Sequence, residues 1–289
     1  MKTRNAMQLK ARIKARAKAA DVSPQLMLQD YLLERLLERI SLSPWRDAII
    51  VKGGMLISSF IGIDSRVTKD LDTTIRGFDL NHESAASVFK DICAIEVDDD
   101  IRFEFLRTED IRETDDYPGI RIFLKAHYEP MAVPLSVDVT TGDAITPGPI
   151  EYRYSLIFDD KVITLMAYPI ETVVAEKLET VISRGVSNTR PRDYYDIWKI
   201  WNLHGKDIDI EQLANAPAAT SAKRGSMEQI AQYHSCMKMV SDDQVMQSIW
   251  RGYSSNYSYA RNLGLEDACR TVVAIMDRLS PAPGTTLEA

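Results

Sequence analysis

Two glycines and two aspartates, set close together near the start of the chain, are the residues whose types and spacing can do chemistry. Gly53-Gly54 follows an apolar run, Ala48–Val51, that reads as a buried strand. Glycine admits a sharp turn and lets a ligand approach the backbone closely. A helix over Met55–Ile61 would aim its free N–H groups and positive dipole end at an anion. After a polar loop, Asp64–Lys69, comes Asp70-Leu71-Asp72 at the head of a second strand, Asp70–Ile75. Residues two apart on a strand share a face, so Asp70 and Asp72 point one way and Leu71 points into the core. Two carboxylates beside a phosphate-binding turn suit Mg²⁺ and a nucleoside triphosphate. Taken singly, Gly-Gly is a turn and Asp-x-Asp a solvated edge. The order strand, glycines, helix, loop, acidic strand is the specific feature.

Three more charged residues sit in positions that call for a reason. In a strand over Pro134–Thr140, Leu135, Val137 and Val139 face inward and Ser136, Asp138 and Thr140 outward. Aspartate is depleted in strands. Asp138 is therefore either a surface residue or one held there for metal binding or proton transfer. Lys177 lies within the stripe Val173, Val174, Leu178, Val181, Ile182 of a helix over Ile170–Ser183. A lysine is rarely buried unpaired, so it either snorkels to water or points into a cleft. Asp193 lies four residues before Ile197 and eight before Trp201, on the apolar face of the next helix. A carboxylate in a first turn also complements the helix dipole. Lys177 and Asp193 read as an ion pair, serving either a core or catalysis. If they line a cleft, Lys177→Ala leaves melting near normal. Arg184, Arg190 and Arg192 crowd the loop between these helices.

The elements that must position these residues follow from pattern. Ser23-Pro24 starts a helix, with serine as N-cap and proline at the first helical position. Leu28, Leu32, Leu33, Leu36, Leu37 and Ile40 form its core stripe. Asn81–Ile95 reads as a helix. Ile101, Phe103 and Phe105, then Ile120, Ile122, Leu124 and Ala126, alternate as two strands around an acidic loop, Glu109–Gly119. Val162–Met166 reads as a last strand. Beyond it the pattern is helical, which places a domain boundary near residue 166: 1–166, a mixed sheet with helices, and 167–289, a helical domain. Helices are expected at Ile208–Ala214, Met227–Val240, Asp242–Trp250 and Leu263–Leu279, with a disordered tail, Ser280–Ala289. Tyr253, Tyr257 and Tyr259 fall in a polar loop, for packing or for base stacking.

Composition excludes several classes. The chain has 289 residues, 45% hydrophobic and 27% charged, as in ordinary soluble globular proteins. No apolar run approaches the ~20 residues of a membrane span, and the start lacks the apolar core of a signal peptide. Cys93, Cys236 and Cys269 are scattered, which fits a reducing cytoplasm and no metal motif. A formal charge of −7 opposes broad nucleic-acid binding. Residues 1–18 are the exception. They hold Lys2, Arg4, Lys10, Arg12, Lys14, Arg16 and Lys18 and no acid, and read either as a frayed solvated helix or as a phosphate-contacting surface.

Six motifs in order carry a family resemblance. They are Gln25-Leu26-Met27-Leu28-Gln29-Asp30-Tyr31-Leu32-Leu33-Glu34-Arg35, Val51-Lys52-Gly53-Gly54-Met55-Leu56, Arg66-x-Thr68-x-Asp70-Leu71-Asp72 and Val137-Asp138-Val139 with Asp143, then Tyr168-Pro169-x-Glu171 through Glu179, and Asn188-Thr189-Arg190-x-Arg192-Asp193-Tyr194-Tyr195-Asp196. Over about residues 8–205 the chain resembles the AbiEii/AbiGii toxin family of nucleotidyltransferases, relatives of the MenT toxins within the DNA polymerase β-like superfamily. That superfamily usually has Gly-Ser where this chain has Gly53-Gly54.

The resemblance implies an α+β fold, a nucleotidyltransferase-like mixed β-sheet with flanking helices followed by a C-terminal helical domain. It implies a bacterial toxin of a toxin–antitoxin or phage-defence pair. Such a toxin moves a nucleotide from an NTP, with Mg²⁺, to an acceptor such as the tRNA 3′ end and stops translation. The implied partner is an AbiEi-type winged-helix antitoxin. Gly53 and Gly54 would hold the triphosphate and Thr68 would line the site, with Lys52, Arg66 and Arg190 completing the nucleotide-binding set. Asp70 and Asp72 would bind Mg²⁺, with Asp138 as third carboxylate. Lys177 and Asp193 match later catalytic motifs. A noncatalytic nucleotide-binding protein on the same scaffold, or an enzyme modifying a small molecule, is the alternative.

Overall fold

The structure is a computed structural model that describes residues 5–62, 66, 68–111 and 119–279. Lys2, Arg4, residues 64, 65 and 67 of the Asp64–Lys69 loop, the tip of the acidic loop and the tail Ser280–Ala289 lie outside the described residues. The chain forms two compact units. The first is Met1–Asp143 with Pro149–Tyr168, and the second is Ala144–Gly148 with Pro169–Ala289. No helix among the described residues is long and apolar enough to cross a membrane.

The first unit is built on a seven-stranded mixed sheet. Its strands are β1 (Ile49–Lys52), β2 (Leu71–Ile75), β3 (Arg102–Asp110), β4 (Gly119–Tyr128), β5 (Met131–Thr141), β6 (Ile150–Ser155) and β7 (Val162–Ala167), in the order β3-β4-β5-β2-β1-β7-β6. β2 runs antiparallel to β1 and parallel to β5. Alternation sets one face: Leu135, Val137 and Val139 are buried while Ser136, Asp138 and Thr140 are not. Four helices flank the sheet: α1 (Ala6–Ala19), α2 (Pro24–Leu42), α3 (Gly53–Ile61) and α4 (His82–Ala94).

Strands 48–51 and 70–75 shift by one residue at their ends, so Asp70 lies just before β2. α3 starts earlier than its apolar residues require, with both glycines inside its first turn. β6 had no expectation. Prolines precede it and only Tyr154 is buried, so its sequence lacks the signature of a covered strand. α1 is packed rather than frayed, with Leu9, Ile13 and Ala17 buried against α2.

The second unit is helical: α5 (Ile170–Arg184), α6 (Pro191–His204), α7 (Ile210–Arg224), α8 (Met227–Ala231), α9 (Tyr233–Asp242), α10 (Gln244–Asn256) and α11 (Leu265–Leu279). α7 continues through Pro217, well past the expected end at Ala214. The helix expected over Met227–Val240 breaks at Gln232 into α8 and α9. Tyr253 belongs to α10 and is buried, in ring contact with Tyr195, Tyr257 and Tyr259. That cluster realises packing.

α2 has an apolar stripe by sequence yet is buried on all sides from Asp30 to Ile40. Among its charged residues, Arg39, Glu34 and Arg35 are tied to specific partners. Arg39, 1% exposed, donates to both carboxylate oxygens of Asp99 at 2.9 Å and to the Ile101 carbonyl at 2.6 Å. Glu34 accepts from the Ile157 N–H, and Arg35 pairs with Glu38 at 2.9 Å. The Arg39 and Glu34 bonds anchor α2 to the start of β3 and to the β6–β7 turn. Removing one partner of a buried pair strands a charge, at a cost of about 3–5 kcal/mol. Asp99→Ala is expected to lose stability on that scale in urea titration; a loss under ~1 kcal/mol would mean that Arg39 is not held by Asp99.

Candidate active site

The register of the sheet lines up one charged row. Lys52 on β1 is opposite Asp72 on β2, Asp72 is opposite Asp138 on β5, and Asp138 is opposite Arg121 on β4. Cross-strand partners share a face, so lysine, two aspartates and arginine stand side by side. Asp70, exposed and just before β2, accepts from the Ser136 hydroxyl at 3.3 Å. Arg121 drew no attention from the sequence. Its signal was present, since Arg121 alternates with the buried Ile120 and Ile122.

The two glycines close this row against α3. Gly53 takes φ +63°, a left-handed conformation suited to glycine. A Cβ there would overlap the Asp72 carboxylate, and a Cβ on Gly54 would overlap the Thr68 hydroxyl. The Gly54 N–H donates to Asp72 Oδ2 at 3.3 Å. Thr68 donates to the Asp70 carbonyl at 3.3 Å, and buried Arg66 donates to the Gly54 carbonyl at 3.2 Å. Arg66 and Thr68 thus brace the backbone of the turn. Behind them, burial pushes the Asp30 carboxyl up to about 7, against the pull of the Thr68 backbone and the Arg66 charge.

Electrostatics make Asp72 the centre of the group. Burial raises its pKa, and repulsion from Asp138 and Asp70 adds to this, while Lys52 and the Gly54 N–H oppose it. Lys52 is held at 2.5 Å from Asp143 and 2.8 Å from the Thr140 hydroxyl. The Tyr168 hydroxyl donates to the same Asp143 oxygen at 2.7 Å. Burial acts to raise Asp143, but the charge and hydrogen bond of Lys52, with those of Tyr168 and Thr140, bring it below the ordinary range. Asp143 and Tyr168 stand in the matched motifs, but the sequence assigned them no role.

Asp70 and Asp72 fit a hard divalent cation. They are oxygen donors, and the repulsion at Asp72 is what a cation would relieve. Among the described residues no three acidic, His or Cys side chains form a closed metal cage. Mg²⁺ is commonly held by one or two carboxylates together with water and substrate oxygens, and an open pair suffices for that.

The second unit holds Lys177, Asp193 and Arg190. Lys177 on α5, 13% exposed, lies 2.6 Å from Asp193 Oδ1 and 2.9 Å from Asp196 Oδ2, both on α6. Asp193 is nearly buried and Asp196 fully so. Burial acts to raise Asp193, but Lys177, with Arg192 and Arg190, leaves it lowered. Arg190 is exposed at the N-cap of α6. Asp196 is one turn beyond Asp193 and carries no signal of its own in the sequence pattern.

The family model described as "Nucleotidyl transferase AbiEii toxin, Type IV TA system" matches residues 35–271. A putative nucleotidyltransferase from Helicobacter pylori superposes with a TM-score of 0.52 at 12% identity, over 89% of this chain and 96% of that one. JHP933, also from H. pylori, gives 0.48 at 13% identity, over 89% and 92%. No curated protein matches. The first superposition supports the mixed-sheet α+β fold.

Three expectations follow. Asp196 changes the outcome for Lys177→Ala, because the substitution takes a cation away from a fully buried carboxylate as well as from Asp193. Stability is expected to drop by about 3–5 kcal/mol in chemical denaturation, in place of near-normal melting. The lowered Asp193 contributes stability that is present above its unfolded value of 3.8 and lost as pH falls through the lower folded value. Asp193→Asn should therefore flatten the acid limb below pH 3.8; an unchanged limb would show that the pair contributes none of it. At the turn, Gly54→Ser should cost about 1–3 kcal/mol by overpacking. Thr68→Gly should restore part of that loss in the double variant, and strict additivity would mean that the two sites do not touch.

Proposed function

The chain belongs to the AbiEii nucleotidyltransferase toxin family, and from that premise we propose that it transfers a nucleoside monophosphate from an NTP to the tRNA 3′ end, blocking translation. The observation that carries the reading is the meeting of Asp72 with the amino end of α3 at Gly53-Gly54, with Asp70 two residues before it. A helix N-terminus with backbone N–H groups brought close by glycine suits a phosphate group. Asp70 and Asp72 would hold Mg²⁺, which when bound would polarise phosphoryl oxygens.

The chain's own groups account for the rest. Lys52, fixed by Asp143 and Thr140, sets positive charge beside the triphosphate. The acceptor hydroxyl oxygen bonds to the α-phosphorus, the bond from that phosphorus to its bridging oxygen breaks, and pyrophosphate leaves. The hydroxyl proton passes to a carboxylate of the acidic face. Arg66 and Thr68 keep the turn in shape. Lys177 and Asp193 keep the catalytic role that the resemblance implies, Lys177 as a positive charge for the triphosphate and Asp193 as its paired carboxylate, and Arg190 keeps its place in the nucleotide-binding set.

An RNA acceptor agrees with α1, where Lys10, Arg12, Lys14 and Lys18 are exposed and no acid occurs. The partner in this reading is an AbiEi-type winged-helix antitoxin, and the protein acts in the cytoplasm. The Gly-Gly variant does not favour a noncatalytic protein, since packing against Thr68 accounts for it.

The test is incubation with Mg²⁺, each labelled NTP and total tRNA. Label is expected on tRNA, and Asp70→Ala should lower the rate by at least ~10²–10³-fold while leaving the fold intact. Absence of label on any RNA across metals and nucleotides would overturn the reading.

A further inference from the structure

Arg121 is the member of the charged row that neither the motifs nor the family assigns. Its Nε and Nη2 each donate to a different oxygen of Asp138, both at 2.7 Å. This is the bidentate arrangement that fixes a guanidinium plane. It occupies both oxygens of the carboxylate expected to serve as third metal ligand. The remaining donors of the guanidinium, Nη1 among them, bond to no described residue, and the side chain is 44% exposed against 20% for Asp138. On the far side, Glu109 of β3 is opposite Arg121 but pairs with Arg107. Arg121 therefore presents an oriented, open cationic edge.

Its position matters because of what lies along the row. Arg121 is two strands from Asp72, about 10 Å at the usual strand spacing, on the face that also holds Asp70. Arginine forms forked, directional contacts to phosphate oxygens that lysine does not reproduce.

We propose that Arg121 binds a phosphate group of the NTP, and that Asp138 positions Arg121 rather than ligating metal. The inference rests on the nucleotidyl-transfer reading. It assigns metal binding to Asp70 and Asp72 alone. It also explains why an aspartate stands in the outward alternation of β5: it holds the neighbouring arginine in a fixed plane.

Equilibrium binding of labelled NTPs, with Mg²⁺ varied, tests it on the wild type, Arg121→Ala, Arg121→Lys, Asp138→Asn and the double variant Arg121→Ala/Asp138→Asn. Arg121→Ala and Asp138→Asn should each weaken NTP binding by about tenfold, a usual scale for one charge-assisted contact. Arg121→Lys should recover only part of that. The double variant should be no weaker than the worse single one, and the Mg²⁺ concentration for half-maximal binding should stay within twofold of wild type. Arg121→Lys carries the test if Asp138→Asn fails to fold by circular dichroism. Asp138→Asn raising the Mg²⁺ requirement tenfold while Arg121→Ala leaves NTP affinity unchanged would overturn the proposal and restore Asp138 as a ligand. Unchanged NTP affinity in both Arg121 variants would overturn it as well. A wild type that binds no NTP at any Mg²⁺ concentration would overturn the transfer reading too, which separates the two failures.

Discussion

The alignment of Lys52, Asp72, Asp138 and Arg121 across four strands is the constraint on which the first unit depends. Like charges at Asp72 and Asp138 repel across adjacent strands, and they are tolerated because a cation flanks the row at each end. The alternation of side chains makes this register all-or-none. A slip of one residue in β2 would turn Asp72 into the core and Leu71 out to solvent. The burial of Leu71, Val137 and Val139 therefore holds the charges in place. Apolar packing on one face is the energetic source of the polar geometry on the other.

Charge neutralisation recurs behind the site with stricter terms. Arg39, Glu34 and Arg35 in α2 are buried, and each is matched to a carboxylate, a cation or a backbone group. Buried charges contribute little net stability but penalise alternatives strongly. They hold α2 in one position beneath the turn that Arg66 and Thr68 brace. Asp30 is the link between these layers, since its surroundings include both Arg66 and Thr68.

In the second unit one lysine serves two aspartates. The pattern of α5 and α6 indicated that Lys177 and Asp193 face the same way. It did not reveal that Asp196 completes the group, because an aspartate at that position reads as one more charge on an amphipathic helix. Lys177 is shared by both aspartates, Arg192 and Arg190 add their charge at Asp193, and the burial of Asp196 ties Lys177 to the packing of α5 and α6.

The sequence by itself determined the local features: the helix start at Ser23-Pro24, the alternation that exposes Asp138, the glycine turn, and the family motifs in order. These are legible because they depend on residues within a few positions of one another, through backbone conformation and periodicity. β6 was not legible, because an edge strand with little buried surface carries no strong pattern. Nor was the break between α8 and α9, which depends on what the two helices pack against. Pairing was decided only in three dimensions. That Arg121 occupies Asp138, that Asp143 holds Lys52, and that Thr68 excludes a side chain at position 54 all follow from strand order and register. Contacts between residues far apart in the chain are set by which strands become neighbours, and periodicity carries no information about that choice.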